Sequence, residues 1–213
     1  MKYSGLILVG GRSKRMGRPK AWLPFGNESL LQRIVHALSG VVSPIVLVAE
    51  SGQVLPDVKG VEILYDPIPD QGPLMGLATG LKALQPVSKW AFVTGCDAPF
   101  LTSKLISLLF SGRRDAEIVA PHIEGQSYPL TALYNTDIWQ KAQTLLDSNV
   151  HRLMDLLDLC RVREISDAEL RAIDPDLLTL MNVNTPELYE KALALDSGNG
   201  KGNDPQQKYN YPS

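Results

Sequence analysis

Short unbroken apolar runs alternate along the chain with longer stretches whose apolar residues recur every three or four positions. Gly5–Val9 (GLILV) has no polar interruption, the mark of a strand covered on both faces. A polar, glycine-rich stretch follows, and Ser29–Leu38 then shows helical spacing. Pro44–Ala49 and Gly60–Tyr65 predict a second and a third buried strand, and Trp90–Thr94 a fourth. Pro73–Leu84 predicts a helix, with Pro73 in the first turn where a missing N–H costs little. Thr102–Leu109 predicts another, with Thr102 as its cap. Ala116–Pro121 and Gln126–Tyr134 predict strands divided by a turn at Glu124-Gly125. Thr136–Leu146 and Val150–Leu159 predict helices, Val162–Ile165 a strand, and Pro186–Leu195 a closing helix. Strand and helix in alternation over the first two-thirds predict an α/β fold, a three-layer α/β/α domain with a mostly parallel central sheet.

The end of the chain departs from this pattern. Residues 197–213 (SGNGKGNDPQQKYNYPS) contain no aliphatic side chain and are crowded with Gly, Asn, Gln and Pro. Such a segment cannot bury enough apolar area to offset its ordering entropy, so residues 1–196 are expected to form one domain and 197–213 a disordered tail.

Composition narrows the function classes. An apolar fraction of 44% in 213 residues is enough for one well-buried core. Basic and acidic residues nearly cancel, 21 against 23, which argues against a protein that coats nucleic acid or an anionic membrane. A small polyanion remains open, because a few placed bases can bind it locally. Runs such as Leu6–Val9 are far too short to cross a bilayer, and the N-terminus enters a strand without a basic leader. Cys96 and Cys160 stand far apart with no paired spacing, so neither a disulfide framework nor a zinc site is expected. These features point to the cytoplasm.

The local exception is the stretch from Gly10 to Lys20. Arg12, Lys14, Arg15, Arg18 and Lys20 place five cations in nine positions directly after the first strand. Paired glycines let a backbone turn sharply and bring N–H groups close to phosphate oxygens. The carboxyl end of a parallel strand is where open α/β sheets bind ligands. The spacing is neither a Walker A loop nor a dinucleotide fingerprint. From the residues alone the choice lies between a phosphate cradle and a solvated basic loop.

Leu8-Val9-Gly10-Gly11-Arg12-Ser13-Lys14-Arg15-Met16-Gly17, followed by Lys20, resembles the loop of molybdenum cofactor guanylyltransferases and related small nucleotidyltransferases, with Val9 where that family usually has Ala. Gly72-Pro73-Leu74-Met75-Gly76, Cys96-Asp97-Ala98-Pro99-Phe100, Tyr128-Pro129 and Asn182-Val183-Asn184-Thr185-Pro186-Glu187 are similar to further family segments, in the family's order. The resemblance covers about residues 4 to 195 and implies a Rossmann-like nucleotidyltransferase domain. It implies transfer of GMP from GTP to the terminal phosphate of molybdenum-bound molybdopterin with release of pyrophosphate, and transient contacts with other cofactor-biosynthesis proteins.

By that resemblance the backbone of Leu8, Val9, Gly10 and Gly11 holds base and sugar, Arg15 and Lys20 grip the phosphates, and Asp66 contacts the nucleotide, or else Asp66 opens a turn before Pro67. Asp97 is a hard oxygen ligand suited to Mg²⁺, or else a turn residue before Pro99. Arg15, Lys20 and Asp97 make up the expected catalytic group. Asn182 and Asn184 alternate on one side of an extended stretch, as metal or phosphate contacts by resemblance, or as turn and cap residues ahead of the Pro186 helix. Tyr128–Tyr134 and Val150–Leu159, including Arg152, are candidates for the pterin side. Cys96, His36, His122 and His151 read as structural or surface residues, and Trp22 and Phe25 as core lids. Where the family often has Asn after its second strand, Val46–Ser51 offers none; Glu50 is the expected substitute, able to accept from the N1–H and N2–H₂ edge of guanine. The alternatives are a related enzyme using CTP or another small phosphorylated acceptor, and a nucleotide-binding module without turnover.

Overall fold

The computed structural model describes residues 3–10, 16–68 and 71–199. In chain order the elements are β1 (Ser4–Leu8), β2 (Pro24–Phe25), β3 (Glu28–Ser29), α1 (Leu30–Ser39), β4 (Ile45–Ala49), β5 (Val61–Tyr65), α2 (Pro73–Leu84), β6 (Trp90–Gly95), α3 (Ser103–Ser111), β7 (Ile118–Ile123), β8 (Gln126–Ser127), β9 (Thr131–Asn135), α4 (Trp139–Asp147), α5 (Leu153–Asp158), β10 (Val162–Ile165), α6 (Asp167–Arg171) and α7 (Pro186–Asn199). The main sheet runs β10-β7-β9-β6-β1-β4-β5, with β8 added beside β7. Along that path every pairing is parallel except those of β9, which runs antiparallel to both β6 and β7.

The unbroken apolar run of β1 is explained by its central position. Leu6 and Leu8 pack toward a layer that contains the buried faces of α2, α4 and α5. Ile7 and Val9 pack toward the opposite layer, with α1, α3, α6 and α7. The alternation of side chains along a strand splits one apolar run between two cores. Helix starts follow local chemistry. The Ser29 hydroxyl accepts from Gln32 N while the Gln32 side chain accepts from Ser29 N, a complete capping box. Thr102 caps α3 through Leu105 N, as its position predicts. The three-layer α/β/α, Rossmann-like arrangement with a mostly parallel sheet is thus the observed fold. Among the described residues no helix is long and apolar enough to cross a membrane.

Several boundaries differ from expectation for identifiable reasons. The third strand is not buried on both faces: β5 is the sheet's edge, paired to β4 alone, and exposes Glu62, Ile63 and Tyr65. Gln126–Tyr134 is not one strand, because Pro129 has no N–H to offer a ladder. The chain breaks at Tyr128-Pro129-Leu130, and β8 and β9 pair with β7 in different registers. Thr136–Leu146 begins as a single 3-10 turn over Thr136–Ile138, and the Val150–Leu159 helix shortens to α5. The small β2–β3 hairpin and α6 carry too few apolar residues to give a periodic signal. α7 extends to Asn199, beyond its expected end and into the stretch expected as a tail; residues 200–213 lie outside the described residues.

α2 crosses β1 at Gly80, where the absence of a side chain sets the spacing. A Cβ there would stand 2.3 Å from Leu6 Cδ1, and Leu6 is fully buried. Gly80→Ala should therefore destabilise the fold by about 1–3 kcal/mol through overpacking, despite alanine's better helix propensity. Urea unfolding should show a lower midpoint at an unchanged m-value.

Candidate active site

Parallel pairing brings four strand ends to one edge of the sheet. Leu8 is in register with Val48 on one side and Gly95 on the other, and Ala49 with Tyr65. The next residues therefore emerge together: Val9-Gly10, Glu50, Asp66 and Cys96-Asp97. Backbone bonds continue the ladder one step past the strands, from Val9 N to Val48 O at 2.8 Å, Asp66 N to Ala49 O at 2.9 Å and Cys96 N to Leu8 O at 3.1 Å. These ends border a cleft of about 340 Å³, with Gly72, Pro73 and Gly76 of the α2 start on one wall and Leu130 on another.

Lys20 enters this cleft from a well-anchored segment. Met16, Ala21, Leu23 and Phe25 are buried in the core around it, and Leu30 N donates to Leu23 O at 2.8 Å. The Lys20 ammonium donates to Asp97 Oδ2 at 2.9 Å and to Asn184 Oδ1 at 2.6 Å. Its side chain is 16% exposed and that of Asp97 19%, so the pair sits largely out of water, where removing one partner is costly. Val183 N donates to Asp97 O at 2.8 Å, and the Val183 side chain is fully buried. That bond sets the register that places Asn184 beside Lys20. Thr185 takes the capping role for α7 by accepting from Leu188 N, which leaves the Asn184 side chain to Lys20. Gly95 is needed for the same cluster, since a Cβ on it would stand 2.7 Å from Asp97 Oδ1.

A pair of carboxylates, Glu50 and Asp66, lies beside Gly10. A Cβ placed on Gly10 would be 3.6 Å from Glu50 Cγ and 3.9 Å from Asp66 Oδ2, and one on Gly76 would be 3.6 Å from Asp66 Oδ1. Asp66 Oδ1 is buried and accepts no hydrogen bond among the described residues. Burial first, and then the neighbouring Glu50 carboxylate, push the Asp66 carboxyl up to about 6 from 3.8. The buried Cys96 thiol is pushed up to about 12 by burial and then by Asp97, so it stays protonated and is no nucleophile.

The structure brings Leu8, Val9, Gly10, Lys20, Asp66 and Asp97 to one cleft, as expected from the sequence. Gly11 and Arg15, together with Arg12, Ser13 and Lys14, lie outside the described residues. Asn184 joins the cluster, whereas Asn182 neither lines the cleft nor shares its bonds. Of the stretch Tyr128–Tyr134, Leu130 reaches the cleft; Tyr134 is fully buried, its hydroxyl donating to Pro129 O. Arg152 precedes α5 and is not part of the lining. Phe25 is fully buried and Trp22 packs against the core while donating to Val54 O, so both are structural. Two glutamines escaped the sequence reading: Gln71 lines the cleft, and Gln53 bonds to Val9 O from behind it. For Gln53 the available signal was a turn, Ser51-Gly52, directly after a parallel strand. Among the described residues no group of three or more His, Cys, Asp or Glu side chains could cage a metal ion.

Residues 5–164 match the MobA-like NTP transferase domain. A probable molybdenum cofactor guanylyltransferase of Mycobacterium avium is 37% identical over 199 residues, covering 91% of this chain and 96% of that one. Among solved structures, molybdopterin-guanine dinucleotide biosynthesis protein A of Archaeoglobus fulgidus superposes with a TM-score of 0.78 at 19% identity, over 92% of this chain and 99% of that one. A Mycobacterium tuberculosis protein solved in complex with manganese gives a TM-score of 0.67 at 15% identity, over 91% and 99% of the two chains. At these identities the two structures speak for the fold alone.

The raised Asp66 carboxyl makes stability depend on pH in a defined direction. Near pH ~4 and below it is largely protonated in the folded chain, and the charge penalty is small. Above about pH 6 it is charged in folded and unfolded chains alike, and the folded state carries the full penalty. Asp66→Asn should therefore unfold at a higher urea concentration than the parent at about pH 8. The gain should be about 1 kcal/mol, since solvent screens a group that is only partly buried, and should shrink toward zero near pH ~4.

Proposed function

The chain belongs to the MobA-like NTP transferase family and is a nucleotidyltransferase, and we propose that it transfers GMP from GTP to the molybdenum-molybdopterin cofactor, releasing pyrophosphate and forming molybdopterin guanine dinucleotide. The observation that carries the reading is the Lys20 ammonium lying 2.9 Å from the Asp97 carboxylate inside a cleft at the ends of parallel strands. A cation and a carboxylate so placed can hold a triphosphate and the metal that accompanies it. The name borne by the M. avium relative supports guanine and molybdopterin as the donor base and the acceptor. Free, unpaired thiols at Cys96 and Cys160 agree with a cytoplasmic setting.

The chemistry asks for positioning and charge neutralisation more than for a covalent partner. A terminal phosphate oxygen of the acceptor attacks the α-phosphorus of GTP. The bond from that phosphorus to the bridging oxygen breaks, and pyrophosphate leaves with the electron pair. Lys20 holds phosphate oxygens and neutralises charge that grows on the leaving group. Asp97 presents a hard oxygen, and Asn184 adds an amide oxygen beside it. Asp97 and Asn184 would hold Mg²⁺ through these oxygens, since the ion prefers hard oxygen ligands and needs few of them from the protein. When bound there, the ion supplies further charge neutralisation along the phosphates. The manganese held by the M. tuberculosis neighbour supports a divalent cation. Glu50 and Asp66, both acceptors when ionised, face Gly10 and suit a base edge rich in donors, which favours guanine over uracil and cytosine.

The test is pyrophosphate release with purified protein, Mg²⁺ and molybdopterin, using GTP, CTP, ATP and UTP in turn. GTP should be preferred, and release should require the acceptor. Lys20→Ala should lose about 10²–10³ in kcat with its circular dichroism unchanged, and full activity in that variant would take the loop out of the mechanism. A preference for CTP would replace the base assignment, and GTP binding without turnover toward any acceptor would favour a binding module. Glu50→Ala should narrow the GTP-over-CTP ratio by about tenfold, the loss of a charge-assisted hydrogen bond; an unchanged ratio would remove Glu50 from base choice.

A further inference from the structure

The geometry points to Gln53 as a positioning residue that locks the Val9–Gly10 peptide and, through it, the donor that the first loop offers to the nucleotide. The inference rests on the nucleotidyltransferase reading of the cleft, and it concerns a residue that does not line that cleft.

β4 ends at Ala49, and the chain reverses at once through Glu50-Ser51-Gly52-Gln53, with Gln53 N donating to Glu50 O at 3.0 Å. Gly52 takes φ 79°, which this type of turn requires at its third position and which a side chain would resist. The turn folds the Gln53 side chain back over the strand ends. Its Nε2 donates to Val9 O at 3.3 Å, and its Oε1 accepts from Glu50 N at 3.1 Å. The two partners demand opposite roles, a donor toward the carbonyl and an acceptor toward the amide, which an uncharged amide meets and an ionised carboxylate does not.

Those two bonds join the residues on either side of the expected base site. The Val9 carbonyl, just beyond the last residue of β1, is held by Gln53 from one side and meets the Cys96 thiol at 3.9 Å. A trans peptide is planar, and its C=O and the following N–H point in opposite directions. Holding the Val9 carbonyl therefore fixes the Gly10 N–H on the face away from Gln53. Gly10 lines the cleft, and glycine by itself would leave that peptide free to rotate. Gln53 thus supplies the rigidity that the glycine lacks, and at the same time holds the backbone of Glu50 in place.

Two variants test this. Gln53→Met keeps length and removes both bonds; Gln53→Glu keeps an acceptor for Glu50 N but, while ionised, turns a negative charge on the Val9 carbonyl. The dissociation constant of GTP, measured by calorimetry without acceptor, should rise about three- to tenfold in each at neutral pH, as expected for a lost hydrogen bond. The kcat at saturating GTP should stay within about twofold, because Lys20 and Asp97 are untouched. Lowering the pH should shrink the deficit of Gln53→Glu relative to the parent, since the protonated acid regains a donor, while the deficit of Gln53→Met stays constant. Glu50 and Asp66 are common to parent and variants, so taking the ratio to the parent at each pH removes their shared contribution. Unchanged GTP affinity in Gln53→Met would overturn the proposal, as would a pH-independent ratio for Gln53→Glu. Should the parent prefer another nucleotide, the guanylyl assignment fails on its own, and the same ratios measured with that nucleotide still decide the role of Gln53.

Discussion

The contact between Lys20 and Asp97 joins segments 77 residues apart, and much of the molecule's arrangement serves to make it. Lys20 comes from a loop pinned by buried apolar residues, and Asp97 from the exit of a central strand. Asn184 reaches the same point because Val183 is buried and its amide bonds to the Asp97 carbonyl. Each of the three side chains is thus aimed by something other than itself: a packed neighbour, a strand end, a backbone bond. Mostly shielded from water, the pair gains strength that it would lack on the surface.

The cleft is electrostatically divided. On the Asp97 side charge is compensated within the protein. On the Asp66 side, burial and the nearby Glu50 carboxylate together make the Asp66 carboxyl hold its proton more tightly than usual. A cation beside a carboxylate in one half and two neighbouring carboxylates in the other make the site asymmetric in the same sense as a nucleotide, with phosphates at one end and a donor-bearing base edge at the other.

Much of this was legible in the sequence because parallel sheets impose a simple rule. Strands buried on both faces read as unbroken apolar runs, and the residues after them gather at one edge, so the runs at Gly5–Val9, Pro44–Ala49 and Trp90–Thr94 already placed Val9, Glu50 and Asp97 together. The rule fails where its premises do. β5 keeps an apolar sequence although one side of it has no neighbouring strand, and burial by one neighbour looks much like burial by two. Lys20 was found through local charge density, but its partner Asn184 was one of two equivalent asparagines until the burial of Val183 separated them. Gln53 was missed because the turn that the sequence does signal shows its partner, on a strand distant in sequence, only once folded.

The reversed strand β9 has a consequence of its own. The parallel strands leave the sheet at the cleft and run on toward crossover segments, so altering a loop there disturbs what packs above and below. β9 instead enters the sheet at that edge, and the short break at Tyr128-Pro129-Leu130 before it leads to no helix. Insertions or deletions at this lip would leave both helical layers in register. The fold therefore contains a region where evolution can resize one wall of the cavity while the opposite wall, with its clustered strand termini, stays fixed.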